Sequence, residues 1–176
     1  MPKTSISAED TNTVKKWILP VLILPMNVLV FIPGILLWLT GYQWKMNYPV
    51  LLVIGCLLLL SGLGLAAWTM RLFHFIGQGT AAPWDPPQRL IVNGPYCHVR
   101  NPMLTSVFLM QAAEAILLNS ITIFMLLVLF IIANMLYFPL VEEKALEKRF
   151  GESYREYRRN VPRWVPRLRP WRALIE

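Results

Sequence analysis

The run MLTSVFLMQAAEAILLNSITIFMLLVLFIIANMLYFPLV, residues 103–141, decides the fold. It holds one charged side chain, Glu114, and far exceeds the roughly 20 apolar residues that a membrane span needs. Asn119-Ser120 interrupts it near the middle with two turn-forming residues. The run therefore reads as a helical hairpin of two spans, a short one at about 103–118 and another at about 121–141. An ionisable residue inside a span is a candidate for function. Glu114, however, stands five residues from the turn and is expected to reach water there.

Upstream, Tyr48–Met70 carries no charge and is expected to span the membrane over 48–70. Gly55, Ser61, Gly62, Gly64, Ala66 and Ala67 let neighbouring backbones approach, so this helix is expected inside the bundle. Trp17–Leu39 is also free of charge and gives a first span at 17–39. Its apolar core is longer than that of a signal peptide and lacks a small-residue cleavage site. Pro20, Pro25 and Pro33 predict a kink in it. The expected architecture is an all-α polytopic transmembrane bundle, one membrane domain over 1–176. It has four spans, a connector at 71–102 and a C-terminal helix and tail at 142–176.

Charge agrees with this division. Only 15% of the residues are charged, against about 25% in soluble domains. The net charge is +7, and the Lys and Arg residues lie mainly in the N-terminus, the connector and the tail. The positive-inside rule places these three in the cytosol, as an even number of spans requires. Membrane lipids are the expected partner of the basic flanks, and nucleic acid is not. Cys56 and Cys97 make no disulfide framework, and with only His74 and His98 no metal site is expected.

The tail reads as a helix over 142–159 with Leu146, Phe150, Tyr154 and Tyr157 along one side and a weak point at Gly151. Such a helix is expected to lie in the membrane interface, with Trp164 and Trp171 as anchors. Two segments carry chemistry: Gly94-Pro95-Tyr96-Cys97-His98-Val99-Arg100-Asn101-Pro102-Met103, entering span three, and Glu142-Glu143, leaving span four. A hairpin makes them neighbours. Arg100 suits an anionic group, the two carboxylates suit cations or hydroxyls, and the start of span three offers free N–H groups. Asn101-Pro102 is a good helix start, and His98 is the natural proton acceptor. Each residue also has a structural reading, since Arg100 can snorkel and the glutamates can be solvated boundary charges. Their convergence on one hairpin mouth points to a site. A zwitterionic cofactor with ribose hydroxyls, such as S-adenosylmethionine, is one ligand that fits.

GPYCHVRNPM followed by EEKALEKRFGESYREYRRNVPRWVP resembles the integral-membrane methyltransferases, which include isoprenylcysteine carboxyl methyltransferases and phospholipid methyltransferases. The resemblance covers about residues 71–166. It implies S-adenosylmethionine bound at the cytosolic ends of the last two spans and methyl transfer to a lipid-embedded or amphiphilic acceptor, a carboxylate or an amine. The implied cofactor-binding residues are Gly94, Tyr96, His98, Arg100, Asn101, Pro102, Glu142, Glu143, Tyr154 and Tyr157, with Gly77 and Gly79 as a G-x-G element. His98 and Arg163 are the candidate catalytic residues: Arg163 would orient a carboxylate acceptor, or else anchor on a lipid phosphate, and His98 or a glutamate would take the proton of an amine acceptor. Leu104 departs from the Tyr of many members. Membrane sterol reductases, which use NADPH, are a second reading, and a non-catalytic membrane scaffold is a third. A bacterial inner membrane is expected rather than the endoplasmic reticulum.

Overall fold

The computed structural model describes residues 26–44, 48–79 and 86–171. Among them there is no strand. Four helices carry most of the chain, α1 (Asn27–Leu39), α2 (Pro49–Gly77), α3 (Pro102–Leu117) and α4 (Ile121–Phe150), and a short α5 (Glu152–Asn160) follows.

Among the described residues, only α2 and α4 have both the length and the apolarity to cross a bilayer. In their most apolar windows 17% and 11% of the residues are buried, so neither is the core helix of a soluble protein. Leu60, Leu129 and Leu136 are each more than half exposed. An apolar surface of this extent needs lipid around it. The other two helices, α1 and α3, are apolar but shorter. The expected first span begins at Trp17, and its part up to Pro25 lies outside the described residues. In the described part, the backbone widens into a π turn at Asn27–Phe31, just ahead of the buried Pro33.

Glycines set the α2–α3 contact. A Cβ on Gly62 would come within 2.7 Å of Met110 Cγ and 3.0 Å of the Ser106 carbonyl, and one on Gly55 within 2.7 Å of Leu117. Gly64 faces open space, so the small residues of this helix are not all used for packing. The fully buried Gln111 of α3 donates to the Val28 carbonyl of α1 at 3.4 Å. At the hairpin turn Asn119 takes a left-handed φ of 48°, Ser120 caps α4 by accepting from the Ile123 amide, and the Tyr42 hydroxyl donates to the Leu118 carbonyl.

Three expectations change. First, α2 does not stop at Met70 but runs through Arg71 and a π turn at Phe73–Gly77. Charge ends an apolar run, but it does not end a helix. Second, α4 passes Glu142 and Glu143 without a break and stops at Gly151, whose φ of 57° disfavours any other residue. Third, the apolar face of α5 is not free for the membrane interface. Tyr154, Tyr157 and Val161 are buried against Leu90, Val92, Leu146, Phe150 and Trp171, so the chain itself covers that face.

Helix lengths make the site. At 1.5 Å per residue α3 is about 24 Å long and α4 about 45 Å. Both start from the same turn, so α4 overshoots the beginning of α3 by about 21 Å. The space above the start of α3 is walled by the ends of α2 and α4 and roofed by α5 and the loop segments.

Candidate active site

That space is a cavity of about 970 Å³. Its floor is the start of α3, where Pro102 fills the first helical position. Asn101 precedes it but does not cap with its side chain. Only its carbonyl serves the helix, accepting from the Thr105 amide and hydroxyl. The Asn101 amide is thereby freed: Nδ2 is buried, without a hydrogen-bond partner, on a residue that lines the cavity. Arg100 Nε is in the same condition. Buried donors without acceptors are costly; with the Tyr154 hydroxyl, likewise unpartnered and interacting with Arg100, both can serve an anionic or carbonyl oxygen in the cavity.

The two expected carboxylates separate. Adjacent helical residues point about 100° apart. Glu142 lines the cavity. Burial raises its carboxyl above the ordinary carboxylate range, and Arg149 opposes that shift. Glu143 turns into the protein, 2% exposed, and binds three arginines. Arg100 Nη1 donates to it at 2.8 Å, Arg163 grips both oxygens at 2.6 and 2.9 Å, and Arg158 Nε lies 4.0 Å away. Arg163 therefore stands outside the cavity, held by Glu143. A buried carboxylate needs compensating charge, and Arg163 supplies it.

His98 also lies outside the cavity lining. Its Nδ1 is 2.8 Å from the Arg167 carbonyl, and its own carbonyl accepts from the Arg167 amide. The Arg100 amide donates to Pro162 and the Trp171 amide to Cys97. Residues 162–171 thus form a strap along residues 97–100. Trp164 is packed against Phe108 and Phe138, and Trp171 against Tyr157, where the sequence suggested interfacial anchors.

Tyr96, Tyr154 and Tyr157 line the cavity. The Tyr157 hydroxyl donates to the Tyr96 carbonyl at 2.8 Å. Burial pushes all three phenols above their ordinary range, helped at Tyr154 by the neighbouring Glu143, so they are neutral at physiological pH. Gly77 and Gly79 do not line the cavity. They let the returning chain pass. A Cβ on Gly79 would meet the Pro86 carbonyl at 2.7 Å, one on Gly77 would meet Ile91 at 2.9 Å, and the Gln88 amide donates to the Gly77 carbonyl. Gly94 combines a φ of 57° with the Trp68 ring 3.0 Å from where a Cβ would sit. Glu114 stands away from the cavity, with one oxygen buried and unpartnered where water contact was expected.

Several lining residues were not singled out in the sequence: Arg71, Phe73, His74, Arg89, Asn134 and Arg149. Arg71 and His74 lay beyond the assumed end of span two, and Arg149 lay on a helix assigned to the membrane surface. Asn134, the lone amide of an apolar run, was the one available signal. Among the described residues the cavity holds four arginines, Arg100 included, against one carboxylate, Glu142, and the rest of its lining is mostly apolar and aromatic.

The described residues thus form a helical bundle of largely exposed apolar helices with a basic and aromatic cavity at one end. Residues 50–153, more than half of the chain, match the family model described as phospholipid methyltransferase. The chain belongs to this family and is a membrane methyltransferase. Neither the curated proteins nor the solved structures compared with it match.

Proposed function

We propose that the cavity binds S-adenosylmethionine and that the protein transfers its methyl group to an acceptor held in the membrane. The observation that carries this reading is the pair of buried, unpartnered donors, Arg100 Nε and Asn101 Nδ2, in a largely apolar cavity whose one carboxylate among the described residues is Glu142. A zwitterion with hydroxyls and an aromatic base suits this donor set. Arg100 and Asn101 would hold its carboxylate, assisted by the free N–H groups at the start of α3. Glu142 would hold its amino group or hydroxyls, and Tyr96, Tyr154 and Tyr157 would flank the flat base. When bound, S-adenosylmethionine supplies a methyl group on a sulfonium, open to in-line attack.

The residues of the chain bind, orient and exclude water. Arg163 acts at one remove, by neutralising Glu143 and so fixing Arg100. His98 acts through the strap that seats the same arginine. In this reading the chain crosses the membrane four times, through the regions 17–39, 48–70, 103–118 and 121–141, with both ends and the cavity mouth in the cytosol. The acceptor enters sideways between α3 and α4.

Titration calorimetry on the detergent-purified protein tests the proposal, with S-adenosylmethionine, S-adenosylhomocysteine and NADPH as ligands. The first two are expected to bind, and Glu142→Gln is expected to weaken both at least tenfold, about 1.4 kcal/mol. Binding of NADPH alone would move the protein to the reductases. A folded sample that binds none of the three would sink the proposal.

A further inference from the structure

The strap carries an apolar finger that the cavity does not use. Its base is pinned at two points. The Arg100 amide donates to the Pro162 carbonyl at 2.9 Å, and the Arg167 amide donates to the His98 carbonyl at 3.0 Å. Residues 163–166 run out between these ties, and none of the four lines the cavity. Arg163, the one charge among them, is turned inward onto Glu143. Trp164, Val165 and Pro166 are apolar. What Trp164 touches gives the depth of the finger. Its ring centroid lies 5.7 Å from that of Phe108 and 6.0 Å from that of Phe138. Phe108 is six residues beyond Pro102, about 9 Å down α3 from its start. The finger therefore reaches alongside the apolar runs of α3 and α4. Val165, next to Trp164, is 76% exposed, and Leu168, just past the second tie, is 97% exposed. Arg169 is exposed beside Leu168.

We infer that the finger is a lipid-seated anchor of the strap, with Val165 and Leu168 entering the leaflet at the cavity end and Arg169 lying at the level of its phosphates. The inference goes beyond the methyl-transfer reading and needs only that α3 and α4 stand in a bilayer. Two arguments choose lipid as the occupant. Through Trp164 the finger is continuous with the helix surfaces of Phe108 and Phe138, and lipid that bathes those surfaces also meets the side chain next to it. An apolar tip followed by cations is also the composition of a segment lying in the membrane interface, its apolar groups in the acyl boundary and its cations on phosphate. The seating has a consequence for the site. The same strap brings Arg163 to Glu143 and binds the backbone of His98 and Arg100, so lipid beneath the finger helps to hold the groups that fix Arg100.

The test is spin labelling of the full chain in bilayer discs of phosphatidylcholine and phosphatidylglycerol, with Cys56 and Cys97 replaced by Ala. Single cysteines are placed at Val165, at Leu168, at the exposed Leu129 of α4 as the lipid reference and at the exposed Ser153 of α5 as the water reference. Each label is relaxed by oxygen, which concentrates in lipid, and by a water-soluble nickel chelate. The ratio of oxygen to chelate collisions at Val165→Cys is expected to lie several-fold above that at Ser153→Cys and to approach that at Leu129→Cys, with Leu168→Cys in between. Leu168→Cys also reports on the finger should Val165→Cys fail to fold. Arg169→Glu, which sets a negative charge against the phosphates, is expected to shift the Val165 label toward the chelate; an unchanged label would remove the cation from the contact. Chelate access at Val165 and Leu168 as free as at Ser153 would overturn the inference. So would labels that neither reagent reaches, since protein and not lipid would then cover the finger. An aqueous reading at Leu129 would overturn the bilayer placement of α4, and the anchor with it.

Discussion

Glu142 and Glu143 are chemically identical neighbours with opposite surroundings, and their substitutions should differ in kind. Glu143→Gln removes the charge that compensates Arg100 and Arg163. Breaking one partner out of a buried ion cluster costs about 3–5 kcal/mol, so a clear drop in the thermal unfolding midpoint in detergent is expected, with ligand affinity lost as a consequence. Glu142→Gln should leave that midpoint unchanged and weaken the ligand alone. A destabilised Glu142→Gln protein would show that Glu142 is structural. Acidity should separate them again. Burial raises the Glu142 carboxyl, and a ligand that needs the ionised form loses affinity as pH falls through that raised value. Weakening of S-adenosylmethionine binding should therefore begin at a higher pH than an ordinary glutamate would give. A titration flat to below the ordinary carboxylate range would remove Glu142 from the contact. The importance of both residues was legible in EE at a helix end. Their division of labour was not, because it depends on where α5 and the strap return in space, which spacing along one helix does not encode.

At the scale of the element, α4 carries Asn134, Glu142 and Arg149 on the wall of one cavity. Eight residues of regular helix sweep about 800°, which would leave Glu142 about 80° from Asn134. The π turn at Phe138–Glu142 takes up an extra residue and swings Glu142 back. Pro139 lies in that turn and has no N–H to give a regular ladder. Replacing it should restore ordinary helix and rotate Glu142 and Arg149 off the wall. Pro139→Ala is expected to weaken S-adenosylmethionine by tenfold or more while the unfolding midpoint holds or rises, and unaltered affinity would show that the turn has no part in the site. The hairpin, the short α3 and the break at Gly151 could all be read in the sequence, because apolar length and turn residues act locally. The reach of α2 to Gly77 and of α4 to Phe150 could not. Hydropathy reports where lipid ends, and a helix continues for as long as its backbone bonds and packing hold.

Over the whole molecule, the membrane orientation and the strap are two sides of one arrangement. The short α3 leaves a well at one end of the bundle, and α5 with residues 161–171 covers it, tied down by backbone hydrogen bonds from Trp171 to Cys97, from Arg167 to His98 and from Arg100 to Pro162. Truncation after Asn160 would remove Arg163 from Glu143 and uncover Tyr157. The shortened protein should still insert, since the apolar helices remain, yet fail to bind S-adenosylmethionine; binding at wild-type strength would make the strap dispensable. The proposed orientation, with the cavity end in the cytosol, rests on charge: the turn at Asn119-Ser120 has no cation, whereas the cavity end holds Arg71, Arg89, Arg100 and Arg149. Two exposed positions report on the two ends, Ile121 at the start of α4 and Ser153 in α5. In a background with Cys56 and Cys97 replaced by Ala, Ile121→Cys should react with an impermeant maleimide added to intact cells, and Ser153→Cys only after the membrane is opened. The reverse pattern would put the well outside, away from the cytosolic supply of S-adenosylmethionine. Labelling of both from one side would mean that α3 and α4 do not form a spanning hairpin, and with that the route of the acceptor between them would fall.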